Sequence, residues 1–328
     1  MAAEPTQFGS VGEMIENLRP LDPVYCIHPE TYREAARTFL QGFPGRVLYA
    51  VKANDDPTVI RLLNEGGVNH FDCASLPEIK RVKSLCPDAT CYFMVPVSLR
   101  GAARKAQEIY GVRHFMIDHL SGLDALAAEI SLPGTVVFAR MAVSHDSAVV
   151  ELSSKFGAPP EDVPELLTRI RDLGAEPALA FNVGTMVTSP QAYRHGIEVA
   201  ASVLGSLDFP VRLVDIGGGF PKSYPGYQTP ELEYYFRTVA ETRGLLPLPD
   251  NGEILAEPGR ALAAPGLSAV VEVLLRKENR LYLNDGMYGI FWELRFKAHK
   301  RYPVKAYRGG SPLAGETASF TLFGPTCD

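Results

Sequence analysis

Residues 47–64 read VLYAVKANDDPTVIRLLN. Val47–Val51 is a short apolar run suited to a strand, and a lysine, Lys52, follows it directly. From Pro57 to Asn64 apolar residues recur at three- and four-residue spacing, which predicts a helix. A strand followed by a helix is the repeating unit of a parallel sheet with crossover helices.

The same alternation runs on along the chain. Further strands are expected at His70–Cys73, Cys91–Val95, His114–Ile117, Val136–Arg140, Ala178–Asn182, Arg212–Ile216 and Glu253–Ala256, after an early one at Val24–Ile27. Leu76–Leu85 repeats the helical spacing, while Pro190–Leu204 and Pro230–Arg243 each open on Pro beside Ser or Thr, a helix-start signal. Eight units predict an α/β fold, a (β/α)8 TIM-like barrel, whose usual size is about 250 residues. The alternation alone also admits an open doubly wound sheet.

After Arg260 the texture changes. Leu267–Leu275, Arg280–Asn284, Val304–Tyr307 and Ser319–Phe323 read as strands separated by Gly, Pro and Ser. The expected organisation is a barrel over residues 24–262 and a β-domain, incomplete at its C-terminal end, from 1–23 and 263–328.

Composition narrows the function classes. Lys plus Arg total 32 against 38 Asp plus Glu, a net charge of −6, which lacks the basic footprint of a nucleic-acid binder. No apolar run approaches the ~18 residues of a membrane span. The start, MAAEPTQFGSVGEM, carries no basic segment followed by an apolar core, so no secretory signal is expected. Five scattered cysteines without a CxxC pair suit a reduced, cytoplasmic chain, with Cys26, Cys73 and Cys91 read as inert core thiols. The seven histidines are dispersed without HExxH spacing, so no metal site is expected, and the GxSxG elbow of a serine hydrolase is missing.

In such a barrel chemistry sits at the C-terminal ends of the strands. Those ends carry Lys52 and Asn54, Asp72 and Ser75, Asn182, Gly184 and Thr185, Gly217–Gly219, then Glu257, Gly259 and Arg260. A lysine there can simply snorkel to solvent, or serve as an amine for a Schiff base. The three glycines can be a tight turn, or let backbone N–H groups approach a phosphate. Glu257 can pair with Arg260, or hold a ring nitrogen protonated. Loops after the seventh and eighth barrel strands commonly bind phosphate, which favours Arg260 in that role. Lysine, carboxylate and phosphate cradle together suggest pyridoxal 5′-phosphate (PLP).

At these residues the chain resembles a known family. YAVKAN, FDCAS, LSSKFGA, FNVGT, VDIGGGFP, AEPGR, YLNDGMYGIF and GPTCD follow the order seen in the fold type III PLP-dependent decarboxylases, the ornithine, arginine and diaminopimelate enzymes. GPTCD is typical of the ornithine decarboxylase-like branch. The resemblance implies that Lys52 bonds PLP, Glu257 meets the pyridine nitrogen, and Thr185, Gly217–Gly219, Gly259 and Arg260 hold the phosphate, with Asp72 supporting Lys52. It also implies a cytoplasmic homodimer, active in polyamine biosynthesis, in which Cys327 and Asp328 act on the partner's site, Cys327 as proton donor and Asp328 facing the far end of the substrate.

Three positions depart from that pattern. Asn182 stands where the family usually stacks a histidine on the cofactor ring. Lys297, in FWELRFKAHK, falls where ornithine enzymes carry an aspartate for the substrate's distal ammonium. The family usually runs several tens of residues beyond the position of Asp328, adding a phosphate-binding tyrosine, so a chain ending there would be doubtful in stability and dimer formation. The resulting expectation is decarboxylation of ornithine or a related basic amino acid. The alternatives are a substrate with a neutral or anionic distal group, or a silent homologue that binds a partner, as antizyme inhibitors do.

Overall fold

A computed structural model describes residues 6–143, 155–295 and 302–327. Two compact units are present, one of residues 29–222 and 229–266, the other of 1–28, 223–228 and 267–328.

The larger unit is a closed eight-stranded barrel. Beyond α1 (Val11–Leu18) and β1 (Val24–Ile27) of the smaller unit, it runs α2 (Pro29–Gly42), β2 (Arg46–Ala50), α3 (Pro57–Glu65), β3 (His70–Cys73), α4 (Leu76–Leu85), β4 (Thr90–Phe93), α5 (Ala102–Tyr110) and β5 (His114–Ile117). It continues with α6 (Leu120–Glu129), β6 (Val136–Met141), α7 (Val163–Asp172), β7 (Glu176–Phe181), α8 (Gln191–Gly205), β8 (Leu213–Asp215), α9 (Leu232–Thr242), β9 (Glu253–Ala256) and α10 (Arg260–Ala263). Strands β2 to β9 pair in parallel, and Arg46↔Leu255 with Val47↔Ala256 close the ring, so the open doubly wound sheet is excluded. Of the expected barrel strands, His70–Cys73, His114–Ile117 and Glu253–Ala256 stand unchanged and the other five have ends shifted by one or two residues.

Side chains fill the barrel. Leu48, Tyr92, Met116, Phe138, Ala180 and Leu213 form part of a buried inner cluster. Its lower, N-terminal pole is polar. Arg46 pairs with Glu253 and donates to the Tyr92 hydroxyl at 2.8 Å. The His114 ring stacks on Tyr92 at 4.0 Å between centroids, and Arg212 pairs with Glu176 at 2.8 Å.

The upper turns are set by caps. Asp56 accepts the Thr58 N–H at 2.7 Å ahead of Pro57, and starts α3. Ser75 and Glu78 form a reciprocal capping box at α4, in which Glu78 accepts the Ala74 N–H at 2.8 Å. Outside the barrel, Phe220 is gripped by aromatic rings, stacked on Tyr193 at 4.8 Å and edge-on to Phe39 at 5.0 Å. Such pairs contribute about 0.5–1.5 kcal/mol each beyond area burial. Phe220 directly follows the three glycines, so this packing fixes where their turn emerges.

In the smaller unit β1 pairs antiparallel with β10 (Leu267–Val270), and β11 (Val273–Lys277), β12 (Arg280–Leu283) and, after the two-residue pair β13 (Tyr307–Arg308) and β14 (Ser311–Pro312), β15 (Thr321–Phe323) form a second sheet. The single strand expected over Leu267–Leu275 is thus two, belonging to different sheets. Only Tyr307 of the strand expected at Val304–Tyr307 is paired. Cys26 is half-buried on β1, so of the three thiols read as core only Cys73 and Cys91 are buried.

Candidate active site

Lys52 sits in a single 3-10 turn, Val51–Ala53, at the end of β2. The Ala50 N–H donates to the Pro258 carbonyl at 3.1 Å and Tyr49 donates to the Asn54 carbonyl at 2.9 Å, which holds the turn. The register Ala50↔Asp72 brings β3 alongside, and Lys52 Nζ donates to Asp72 Oδ2 at 2.8 Å. The Lys52 side chain is 56% exposed, but into the barrel end rather than away from it. Desolvation pulls its ammonium down, yet the Asp72 and Glu257 carboxyls outweigh this and its pKa is raised.

Three carboxyls lie beneath that amine: Asp72, Asp215 and Glu257, each no more than 8% exposed. Among the described residues, Asp72 Oδ1, Asp215 Oδ2 and Glu257 Oε1 are all buried without a hydrogen-bond partner. Burial, then Asp72 and Asp215, push Glu257 well above the usual carboxylate range. Burial also pushes Asp215 up to about 7, against the hydrogen bond from Gly217. Arg140, near the end of β6, is the second cation acting on both.

Asp215 and Arg140 are the residues that the sequence reading missed. Asp215 lies inside VDIGGGF, and Arg140 closes the expected strand Val136–Arg140, so inspecting that strand end like the others finds it.

The glycine turn is a built cradle. Gly217 and Gly219 have φ of +71° and +97°. A Cβ on Gly217 would come 2.5 Å from the Phe181 carbonyl oxygen, and one on Gly219 2.5 Å from that of Gly184. All three glycine carbonyls are occupied from behind. Gly217 accepts from the Glu257 N–H at 2.9 Å, Gly218 from the Tyr193 hydroxyl at 2.8 Å, and Gly219 from the Val187 N–H at 3.0 Å. Among the described residues, no acceptor meets the N–H groups of Gly218 and Gly219. That is the arrangement an anion needs.

Asn182, at the end of β7, turns its side-chain oxygen back onto the Gly184 N–H at 2.9 Å. It braces the loop that carries Thr185 and abuts Gly217. Gly259 packs where a Cβ would meet Ala53 at 2.9 Å, and Arg260 begins α10 beside it, half-buried. Lys52, Asp72, Asn182, Thr185, Gly217–Gly219, Glu257, Gly259 and Arg260 all belong to strand-end segments of one barrel. The residues fit PLP: an amine for its aldehyde, an orphaned buried carboxyl for its ring nitrogen, and free amides for its phosphate.

Cys327 belongs to the smaller unit, where its exposed thiol lies 3.6 Å from the Tyr288 hydroxyl. Lys297 and Asp328 lie outside the described residues, as does the first half of LSSKFGA. Among the described residues no group of three or more His, Cys, Asp or Glu could hold a metal ion, and no helix is long and apolar enough to cross a membrane.

Comparison with known proteins decides the lineage. A family model described as "Pyridoxal-dependent decarboxylase, pyridoxal binding domain" matches residues 30–264, and one described as "Pyridoxal-dependent decarboxylase, C-terminal sheet domain" matches 266–328. The chain belongs to the pyridoxal-dependent decarboxylases. PLP is therefore its cofactor, and it is an amino-acid decarboxylase by class.

Relatives within that family include the lysine/ornithine decarboxylase of Selenomonas ruminantium, 31% identical over 290 residues, covering 86% of this chain and 71% of the relative. Antizyme inhibitor 2 of Xenopus laevis is 29% identical over 322 residues, covering 88% and 67%. The lysine/ornithine decarboxylase of Vibrio vulnificus, solved with putrescine, superposes with a TM-score of 0.82 at 28% identity, covering 97% of this chain and 86% of that one.

Proposed function

We propose that this decarboxylase removes the α-carboxylate of a basic L-amino acid, ornithine or lysine, and releases carbon dioxide and a diamine. The observation that carries the reading is the pairing of Lys52 with buried, partly orphaned carboxyls beside a glycine turn in which the Gly218 and Gly219 N–H groups meet no acceptor among the described residues. Lysine/ornithine decarboxylases among the relatives support the substrate class.

Bound PLP supplies the electron sink for the carbanion left when carbon dioxide departs. The protein's own groups do the rest. Lys52 holds the cofactor through its ε-amine, with Asp72 orienting that amine. Glu257 keeps the ring nitrogen protonated. Gly218 and Gly219, with Thr185, Gly259 and Arg260, hold the phosphate, and Asn182 stiffens the Thr185 loop in place of a ring-stacking side chain. Cys327 of a partner subunit returns a proton to the α-carbon in a homodimer, with the partner's Asp328 at the distal end of the substrate. A cytoplasmic place in polyamine synthesis fits the diamine product.

A second reading keeps the chemistry and changes the substrate. Lys297, aligned where ornithine enzymes carry an aspartate, favours a substrate lacking a bare distal ammonium. The silent, partner-binding reading suits the antizyme inhibitor among the relatives, but retention of Lys52, Glu257, Arg260 and Cys327 opposes it. A product screen by mass spectrometry separates all three. PLP-loaded protein is offered ornithine, lysine, arginine, diaminopimelate and acidic amino acids. A diamine supports the first reading, another amine the second, and no product despite bound PLP the third.

A further inference from the structure

Asp215 has no role in the scheme above, yet it is fully buried at the end of β8. One of its oxygens, Oδ1, accepts the Gly217 N–H at 2.7 Å and so anchors the glycine turn from below. The other, Oδ2, is buried and meets no donor. The charged groups acting on it are the Asp72 carboxyl and, in opposition, Lys52 and Arg140, with Glu257 coupled to it across the same cluster.

Three acids therefore face two cations, and Lys52 is already hydrogen-bonded to Asp72. An ionised carboxylate with a dry, donor-less oxygen is the costly form of Asp215. Protonation removes that cost and the repulsion against its acidic neighbours. Glu257 is under similar pressure, but it alone of the two has a cation coming to it, the ring nitrogen of the cofactor. That cation favours ionised Glu257, and ionised Glu257 in turn disfavours ionised Asp215. Two coupled carboxyls are thereby driven apart in charge.

We propose that Asp215 is a positioning residue that holds a proton in the loaded enzyme at neutral pH, leaving Glu257 as the anion for the ring nitrogen while its own Oδ1 tethers Gly217. The proposal rests on the cofactor seat described above. The burial and neighbours that push Asp215 up to about 7 in the free chain agree with it.

Asp215→Asn is close in shape to a protonated aspartate: it keeps an oxygen for Gly217 and cannot ionise. In the PLP-loaded full chain near neutral pH, this variant should hold the cofactor within about threefold of native, whereas Asp215→Ala, which loses the tether, should weaken it about tenfold or more. Native cofactor affinity should also fall in alkaline solution as Asp215 ionises, and Asp215→Asn should lack that limb. Infrared difference spectra supply a readout that does not depend on Asp215→Ala folding. The carbonyl stretch of a protonated carboxyl should be present in the loaded native protein and absent from Asp215→Asn. Cofactor loss in Asp215→Asn as large as in Asp215→Ala, or a spectrum unchanged by Asp215→Asn, overturns the proposal. A chain that takes up no PLP refutes the cofactor seat instead. The same infrared comparison on the free chain at mildly acidic pH then decides whether Asp215 carries the proton.

Discussion

The Lys52 ammonium lies 2.8 Å from Asp72 Oδ2, and that contact joins the ends of two neighbouring barrel strands. It makes Lys52, among the described lysines, the one held at the carboxyl cluster. Borohydride reduction of the loaded protein followed by peptide mapping should place the pyridoxyl group on Lys52. Asp72→Asn removes the stronger of the two carboxylate attractions that raise the Lys52 pKa, so the free amine should titrate at lower pH than in the native chain. Label on another lysine, or an unchanged titration in Asp72→Asn, contradicts this arrangement.

The glycine turn predicts a sharp contrast between substitutions. Gly219→Ala places a Cβ at φ +97° and 2.5 Å from the Gly184 carbonyl oxygen. Backbone strain of this kind costs about 1–3 kcal/mol, and the displaced amides should also lose the phosphate. Gly205→Ala, at the end of α8, meets nothing within 4 Å and serves as a control. Its stability should stay within about 1 kcal/mol of native or rise slightly. Thermal melts and cofactor titration measure both effects. An unaltered cofactor affinity in Gly219→Ala means that the turn does not bear the phosphate.

Much of this was legible in the sequence because period and punctuation carry it. The strand-then-helix pattern that VLYAVKAN and the Pro57 helix show recurs in eight units, and a closed barrel is the usual outcome of so many βα units. Strand-end inspection then reached Lys52, Asp72, Gly217–Gly219 and Glu257 without coordinates. It passed over Asp215, since one aspartate two residues before a glycine turn reads as an ordinary turn former. Only burial and an oxygen without a donor distinguish it. The split of Leu267–Leu275 into two strands was illegible for a different reason. Its alternation is continuous through residues 271–272, and the break is set by pairing of β10 with β1, more than two hundred residues away in sequence. Side-chain direction at Asn182 was likewise out of reach, because its hydrogen bond to Gly184 depends on the local loop shape.

The polar lower pole predicts an acid-sensitive fold. Burial, then Arg46, lowers His70 and His114 from 6.5 to about 4. Each is a base whose folded pKa lies below its unfolded one, so the unfolded chain binds more protons between those values. Their contribution is fully present above about pH 6.5 and is lost as pH falls toward 4. Asp215 acts in the opposite sense, because its folded pKa of about 7 exceeds the ordinary aspartate value of 3.8 and its burial costs stability as pH rises. The histidine share is isolated by His114→Phe, which keeps a ring against Tyr92. Denaturant unfolding at several pH values should show a shallower loss on acidification in His114→Phe than in the native chain. Parallel curves would remove His114 from the account.

The proposed sharing of active sites across a homodimer is tested by a mixing experiment. On that proposal Lys52→Ala and Cys327→Ala should each be nearly inactive alone, since one would lack the cofactor amine and the other the proton donor. In a heterodimer one of the two sites has both residues intact. Activity recovered on subunit exchange supports contribution of Cys327 across the dimer. Its absence, with exchange demonstrated by tagged subunits, places Cys327 in its own subunit's site or in none.

The proposed substrate class is tested at Lys297. An ammonium facing the distal end of the substrate repels the far amine of ornithine. At ~4 Å and an effective dielectric near 20, two like charges cost about 4 kcal/mol before any rearrangement, close to a thousandfold in binding. In the proposed dimer the partner's Asp328 would offset part of that by pairing with either cation. A lysine that points to bulk solvent instead costs nothing, because its long stem lets the charge leave the site. Lys297→Asp separates the two arrangements, since it removes the repulsion and adds an attractive partner in one step. If Lys297 faces the substrate, kcat/KM for ornithine should rise in Lys297→Asp, mostly through KM, because the distal amine is remote from the bond that breaks. A native chain already efficient with ornithine, and unaltered by Lys297→Asp, puts this side chain outside the site and returns the substrate to the basic amino acids of its relatives.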